Sequence, residues 1–217
     1  MILIASKRKK AETILKAHPG AIIADVTSQA KDGLVLLSPF YPHGDIPVPY
    51  SEGYTAACVE GVWQGLKVFE QEDVDCSLFS NHTMKNLKRT VRKHGTVLGH
   101  RKGVNGKEIL SYVEAKQQIY IPTYRWMLEH KVMPIIERLR KASQTQTIVL
   151  LDYNTCCDVD DPIHPLSHAY LVKAYAEGLY PYTDALGAAP QETRQNDVQP
   201  KQPTLFDQIT ENHGEEE

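Results

Sequence analysis

Residues 54–69 read YTAACVEGVWQGLKVF, and this stretch constrains the fold more than any other part of the chain. The pattern predicts a helix over Tyr54–Phe69 with apolar side chains around most of its circumference, and such a helix is buried. Three polar residues, Glu60, Gln64 and Lys67, interrupt the apolar surface at i, i+4 and i+7. At roughly 100° per residue they fall within an arc of about 60°. The stretch therefore predicts a buried helix with one polar stripe.

The polar stripe has two interpretations. If it faces water, Glu60 and Lys67 form an ordinary surface charge pair along the helix. If it lines a cleft, partial burial raises the pKa of Glu60 and lowers that of Lys67. Either side chain then becomes a candidate acid, base or nucleophile. The spacing alone leaves both interpretations open.

Short strands and several helices surround this stretch. Residues 147–152, TIVLLD, are the clearest buried strand because they form a continuous β-branched and leucine run. Other strands are predicted over Met1–Ala5, Ala21–Val26 and Leu34–Leu37. Other helices are predicted over Arg8–Ala17, Asn81–Lys93, Lys107–Gln118, Pro122–Lys141 and Pro165–Gly178. Strands and helices do not alternate regularly, so we predict a helix-rich α+β domain with a small sheet.

The composition indicates a globular chain with an ordinary core. The 217 residues are 41% hydrophobic and 24% charged, which favours one domain plus an appendage. No run of 18 apolar residues occurs, so no membrane contact is expected. Cys58, Cys76, Cys156 and Cys157 have neither metal-ligand nor disulfide-framework spacing, which favours reduced thiols and a cytoplasmic location. We predict no metal and no cofactor.

The segment Cys76–Lys107 contains no acidic residue. It carries eight basic residues: Lys85, Lys88, Arg89, Arg92, Lys93, Arg101, Lys102 and Lys107. Such a run is either a solvated face or a surface that contacts phosphate groups or a nucleic-acid backbone.

The C-terminal residues have a different composition. The globular domain is predicted over residues 1–180 and an acidic, disordered tail over 181–217, because the tail has too few aliphatic residues to offset its ordering entropy. Within it, Gln202-Pro203-Thr204-Leu205-Phe206 resembles the Gln-x-x-Leu-Phe peptide with which bacterial repair and replication proteins bind the sliding clamp. Gln202, Leu205 and Phe206 would make that contact; alternatively, the apolar pair folds back on the domain.

Two further motifs resemble a known family. Residues 37–42, LSPFYP, followed by VEGVWQGLK at 59–67, resemble the NADAR superfamily of YbiA-like N-glycosidases. Trp126 before Val132 resembles a later family position, and either Asp152 or Asp158 matches a late aspartate. Pro39 and Gly61 depart from the usual pattern, so the resemblance is to a divergent member.

The resemblance implies an enzyme that cleaves N-glycosidic bonds of ADP-ribosylated bases or related ribosyl compounds. It assigns catalysis to Glu60, Lys67 and Asp158. It assigns substrate binding to Ser38, Phe40, Tyr41, Trp63, Gln64, Trp126 and Asp152. A carboxylate suits this reaction because cleavage develops oxocarbenium charge on the ribose. A lysine with a lowered pKa would instead trap the ring-opened sugar as a Schiff base.

Three alternatives remain. The chain could be a non-catalytic accessory protein that binds nucleic acid through its basic segment and the clamp through its tail. It could also be a hydrolase of damaged metabolites, with an accidental tail motif. His164 and His168 have a spacing compatible with metal binding, but no third ligand stands at a recognised offset.

Overall fold

The computed structural model describes residues 1–181; the predicted clamp-binding residues Gln202, Leu205 and Phe206 lie outside the described residues. The strands are β1 (Ile2–Ser6), β2 (Ile22–Asp25), β3 (Ile46–Pro47), β4 (Thr55–Ala56), β5 (Lys67–Phe69), β6 (Val97–Arg101), β7 (Ile109–Leu110) and β8 (Ile148–Asp152). The helices are α1 (Ala11–Ala17), α2 (Val59–Gly65), α3 (Val91–His94), α4 (Tyr112–Ala115), α5 (Ile121–Lys131), α6 (Met133–Thr145) and α7 (His168–Ala176). This mixture of helices and small sheets confirms the predicted α+β class.

A three-stranded parallel sheet in the order β1-β8-β2 forms the base of the fold. All five residues of β8 are buried, which confirms the strand predicted from TIVLLD and explains its continuous apolar run. The strands predicted near the start of the chain, β1 and β2, are also confirmed. Because the strands are parallel, their carboxyl ends open at the same edge, where Asp152 ends β8 and Thr27 follows β2.

Two antiparallel sheets complete the strand pairing among the described residues. β3 pairs with β4, and β5-β6-β7 form a second three-stranded sheet. In the latter, Lys67 is the register partner of His100. This sheet therefore carries Lys67 beside the helix that precedes it.

The long helix predicted over Tyr54–Phe69 is wrong in its bounds. Only α2 is helical; β4 precedes it and β5 follows it. The Cys58 thiol caps α2 by accepting the Gly61 N–H. At the other end, Val68 and Phe69 pair with β6, which suits their β-branched and aromatic side chains. Lys67 therefore lies on a strand and not on the helix.

Two glycines of α2 are required by close packing against residues 76–80. A Cβ on Gly61 would lie 2.8 Å from the Leu78 carbonyl oxygen, and a Cβ on Gly65 would lie 2.3 Å from the Phe79 ring. These distances are shorter than van der Waals contact. The glycines therefore let α2 sink into the core, which buries its polar residues as well.

Two other predicted elements near the site are also wrong. The strand predicted over Leu34–Leu37 is a 3₁₀ helix, Gly33–Leu37, begun by the Asp32 side chain, which accepts the Leu34 N–H. The helix predicted over Asn81–Lys93 is mostly irregular and only α3 is helical. Its start is a turn that a side chain stabilises: the Oδ1 of the Asn81 side chain accepts the Thr83 N–H.

The remaining helices differ from prediction mainly at their bounds. α1 begins at Ala11. The first part of the helix predicted over Lys107–Gln118 is β7, and α4 follows it. Ser111 and Glu114 form a capping box at the start of α4. Residues Lys116–Tyr120 form a π-helical turn between α4 and α5. The helix predicted over Pro122–Lys141 is divided into α5 and α6 at Val132, two residues before Pro134.

The main core lies between the parallel sheet, α2 and α5–α7. Tyr124 is fully buried there and donates its hydroxyl hydrogen to the Leu37 carbonyl oxygen at 2.5 Å. This bond fixes the loop that leads to Ser38 and Phe40. Within residues 1–181, every helix is too short or too polar to span a bilayer.

Candidate active site

A cavity of about 390 Å³ opens at the carboxyl edge of the parallel sheet. Its walls are α2, the ends of β2 and β8, the segment 88–90, and the turn from α4 into α5. The charged residues that line it are Glu60, Lys67, Lys88, Arg89, Lys116, Asp152 and His168. The cavity lies where open α/β sheets bind ligands, beyond the carboxyl ends of the strands.

Glu60 is the first functional side chain of this pocket. It stands in the first turn of α2, and the glutamate is 7% exposed. Burial raises the pKa of its carboxyl group, although Gln64, Lys88, Lys67 and His168 act in the opposite direction. The protonated acid is therefore more accessible near neutral pH than for a surface glutamate.

Gln64 is held in one orientation by the backbone. The Arg89 N–H donates to the Gln64 Oε1 at 3.2 Å, so this atom is the carbonyl oxygen of the amide. The Nε2 group then donates to Oε1 of Glu60 at 2.9 Å. This contact uses one of the two oxygens of the Glu60 carboxyl group.

Lys67 reaches the same pocket from the start of β5. Burial lowers the pKa of its amine, and the charges of Arg89 and Lys88 add to this effect while Glu60 opposes it. In the described part of the chain, no carboxylate oxygen lies within 4 Å of its ammonium group. Lys67 therefore combines a lowered pKa with a nearby acid, as a nucleophilic or proton-transferring lysine requires.

Arg89 fixes the end of α2 relative to β5. Its Nη1 donates to the backbone carbonyl oxygens of Gln64 at 3.3 Å and Lys67 at 2.6 Å. Its Nη2 donates to the Glu72 carboxylate at 3.1 Å and to the Asp73 backbone carbonyl oxygen at 2.9 Å. The guanidinium group is almost fully buried. This one side chain satisfies the carbonyl groups where the helix becomes a strand, and so it holds Gln64 and Lys67 in place.

The opposite wall carries a buried ion pair. The Nδ1 of His168 lies 2.9 Å from Oδ2 of Asp152, and its Nε2 lies 2.8 Å from the Val26 carbonyl oxygen. Both partners only accept hydrogen bonds, so both ring nitrogens carry hydrogen and the ring is an imidazolium. Burial disfavours the charge of His168, but Asp152 outweighs it and raises the imidazole pKa.

Asp152 is held as a carboxylate by the same contacts. Burial opposes its ionisation, yet His168 and the Ser167 hydroxyl, which donates at 2.7 Å, lower its pKa. Both contacts use Oδ2. The pocket therefore contains one carboxyl group whose pKa is raised and one whose pKa is lowered.

Three side chains reach the pocket from the α4–α5 segment: Tyr112, Lys116 and Tyr120. They are spaced by four residues, and the π-helical turn lies between the second and the third. Such turns insert an extra residue into a helix and often occur at functional sites. Burial raises the pKa of Tyr120 well above its ordinary value, with added effects from Glu60 and Asp152. Tyr120 therefore remains a neutral hydroxyl in the cavity.

Trp63 forms an aromatic wall of the pocket. Its ring packs against His100 at a tilt of 32°, with centroids 3.8 Å apart, and contacts Tyr120 edge-on. His100 is completely buried, and burial together with the Lys67 charge lowers its pKa to about 3. His100 is therefore a neutral support for Trp63.

The structure brings together most of the residues that the sequence selected. Ser38, Phe40, Glu60, Trp63, Gln64, Lys67 and Asp152 all line the cavity. It does not bring Tyr41, Trp126 or Asp158 to the cavity. Tyr41 packs against His43, and Trp126 stacks on His130. Asp158 is exposed on the loop after β8 and accepts the Asp160 N–H. Of the two late aspartates left open by the sequence, Asp152 is the one in the pocket.

Sequence reasoning missed the pairing of His168 with Asp152 and the role of Lys116 and the two tyrosines. A usable signal existed for Tyr112, Lys116 and Tyr120, whose four-residue spacing places them on one helical face. His168 was considered only as a metal ligand with His164. His164 instead contacts Asp161 at 2.8 Å, and no group of three or more metal-ligating side chains occurs among residues 1–181.

Fold and site together define a mixed α/β protein with a polar, acid- and lysine-lined pocket at the edge of a parallel sheet. Residues 6–172 match a family model described as "Family of unknown function (DUF6939)", and the chain belongs to this family. The comparison with curated proteins gives no match. Every residue of the pocket falls within the matched range, so the pocket lies in the part of the chain that defines the family.

Proposed function

We propose that the protein is an N-glycosidase that hydrolyses the bond between ribose and a base, in an ADP-ribosylated base or a related ribosyl compound. The observation that carries the proposal is the convergence of Glu60, Gln64 and Lys67 in one buried cavity. These residues carry the resemblance to the NADAR superfamily, and the cavity has the size of a small ligand site.

Hydrolysis assigns different tasks to the two carboxyl groups. Glu60, whose pKa is raised, protonates the leaving nitrogen as the C1–N bond breaks. Asp152, which stays ionised, stabilises the positive charge that develops on the ribose. Water then adds to C1 and returns its proton to the Glu60 carboxylate. Gln64 orients a ribose hydroxyl, and Phe40 and Trp63 provide apolar faces for the base.

Lys67 provides a second route through the same pocket. Its amine would attack C1 of the ribose and displace the base, which leaves with the proton of Glu60 as the C1–N bond breaks. The ribose attached to Lys67 then opens to a Schiff base, and water hydrolyses it to the free sugar and the free amine. The two routes are distinguished by borohydride, which reduces a Schiff base to a stable amine. A mass increase on Lys67 in the presence of substrate supports the covalent route, and turnover without any adduct supports direct hydrolysis.

The test of the function uses the purified full chain. We expect it to release ADP-ribose from ADP-ribosylated guanine, either in an oligonucleotide or in a free nucleoside. Chromatography with mass detection identifies both the sugar product and the free base. No product from either substrate at stoichiometric protein would contradict the proposal.

One observation favours a second candidate function, nucleic-acid binding without catalysis. Within the basic segment, Arg101 and Lys102 pair with Asp73 and Glu108. Lys85, Arg92 and Lys93 are exposed, and in the described chain no carboxylate lies within 4 Å of them. Affinity for DNA that falls steeply with salt, in a protein that releases no sugar, supports this candidate.

We also retain a cytoplasmic location and recruitment to DNA through Gln202, Leu205 and Phe206 as proposals. A peptide of residues 198–210 is expected to bind the bacterial sliding clamp at tens of micromolar or below. A matched peptide with Leu205 and Phe206 replaced by alanine should not bind. Equal behaviour of the two peptides would remove the proposal.

A further inference from the structure

Lys116 is a buried lysine that the proposed reaction does not use. It is 2% exposed, and its Nζ donates to the Asp161 backbone carbonyl oxygen at 2.5 Å. In the part of the chain that the structure describes, no carboxylate oxygen lies within 4 Å of this Nζ. An ammonium group has three donors, and a buried charge without a counter-charge is costly. The position therefore suits an anion supplied by a ligand.

The environment of Lys116 belongs to the pocket and not to the apolar core. Lys116 and Tyr112 both line the cavity, and Nζ lies 5.1 Å from the centroid of the Tyr112 ring. An aromatic face at this distance stabilises a cation without neutralising it. The Asp161 carbonyl and the Tyr112 ring thus hold the ammonium group in place and leave its charge available.

The charges of the cavity call for a ligand with more than one negative charge. Lys67 and Lys88, like Lys116, have no carboxylate within 4 Å among residues 1–181. Asp152 is already paired with His168, and burial of Glu60 raises the pKa of its carboxyl group and so disfavours its negative charge. A single carboxylate would leave most of this positive charge unbalanced, whereas a phosphoryl group carries about two negative charges and a diphosphoryl group more.

We propose that Lys116 and Tyr112 form an anion subsite that binds a phosphoryl or diphosphoryl group of the ligand. The cations whose charges act on the Glu60 carboxyl group are Lys88, Lys67 and His168. Lys116 instead donates a hydrogen bond to the loop after β8. Lys116 therefore serves a part of the ligand distinct from the reacting bond. The proposal deepens the proposed function and rests on it for the nature of the remaining ligand.

The test measures binding of inorganic phosphate and pyrophosphate to the full chain by isothermal titration at low ionic strength. Lys116→Gln keeps a donor for the Asp161 carbonyl oxygen but removes the charge. We expect it to bind pyrophosphate about tenfold more weakly than the wild type, while Lys116→Arg retains most of the affinity. Lys93→Gln is the matched control, because Lys93 is exposed, belongs to the same basic segment and does not line the cavity.

The results separate this proposal from the proposed function. A Lys116→Gln chain that binds pyrophosphate like the wild type, or an equal loss in Lys93→Gln, overturns the subsite. So does a wild-type chain that binds neither anion at millimolar concentration. Glu60→Gln should still bind pyrophosphate, so retained binding without any turnover would count against the glycosidase alone. Tighter binding of pyrophosphate than of phosphate identifies a diphosphoryl site.

A crystallographic measurement keeps the test decisive if Lys116→Gln does not fold. Wild-type crystals soaked in pyrophosphate should show the anion within hydrogen-bond distance of the Lys116 Nζ. An anion found only elsewhere in the cavity, or no anion at all, overturns the subsite.

Discussion

Glu60 and Asp152 are two carboxyl groups in one cavity with opposite surroundings. Glu60 is buried beside an amide, without a carboxylate-binding cation within 4 Å in the described chain, and burial raises its pKa. Asp152 is also buried, but it contacts the His168 imidazolium and the Ser167 hydroxyl, which lower its pKa. The difference teaches that the partners of a buried carboxyl group, and not burial alone, decide the direction in which its pKa shifts.

Replacing Glu60 tests the carboxyl group that we propose as the acid of the reaction. We expect Glu60→Gln to reduce release of ADP-ribose by about 10² to 10⁴-fold, because the amide cannot donate and recover a proton. The fold should persist, since Gln keeps the volume of the side chain and a partner for Gln64. Glu52→Gln, at an exposed position, serves as the control in the same assay. Undiminished release by Glu60→Gln would assign the acid to another group.

Replacing Asp152 tests the second carboxyl group, and the free energy of unfolding reports the effect. Asp152→Asn leaves the His168 imidazolium buried without its counter-charge, and we expect a loss of about 3–5 kcal/mol in the free energy of unfolding. Urea denaturation followed by circular dichroism measures it. A double variant with His168→Gln should recover part of the loss, because it removes the unpaired charge. If Asp152→Asn lowered the free energy of unfolding no more than a surface substitution does, the ion pair between Asp152 and His168 would not form.

The pH dependence of unfolding sharpens the comparison. The raised pKa of Glu60 means that the folded chain holds its proton above the unfolded value of about 4.3, so this contribution to stability is lost as pH rises from there. The pKa of His168 is also raised, so its contribution to stability is lost as pH rises above about 6.5. The pKa of Asp152 is lowered, so its contribution to stability is lost as pH falls below about 3.9. Each unit of pKa shift is worth about 1.4 kcal/mol.

Denaturation curves between pH 4 and 8 measure these contributions. Glu60→Gln should flatten the decline that begins above about pH 4.3 and leave in place the decline that His168 adds above about pH 6.5. A variant with the wild-type slope throughout would show that Glu60 titrates normally.

The smallest effect is expected for Asp158, the alternative late aspartate. Asp158→Asn changes an exposed loop residue outside the cavity, so the free energy of unfolding should change by no more than about 0.5 kcal/mol. Turnover should also stay within about twofold of the wild type. A large loss of turnover would show that the loop after β8 closes over the cavity and brings Asp158 to the ligand.

The candidate site was easier to predict from sequence than the elements that carry it. The polar stripe of Glu60, Gln64 and Lys67 was placed on one helix, and all three residues do line one cavity. The helix nevertheless ends at Gly65, and Lys67 belongs to β5. Periodicity could not reveal this because strand pairing with β6, which starts 30 residues later at Val97, overrides the local helical pattern.

The sequence by itself determined the α+β class, the buried strand β8 and the chemical types that meet in the pocket. These follow from composition, apolar runs and local spacing, which act within a few residues of chain. Only the tertiary structure decided that Asp152 meets His168, that Arg89 orients Gln64, and that Lys116 is buried without a carboxylate. Arg89 and Gln64 are 25 positions apart in the chain, and Lys116 and its partner Asp161 are 45 positions apart. The folding of the whole core, and not any local pattern, determines the distances and desolvation that set their charges.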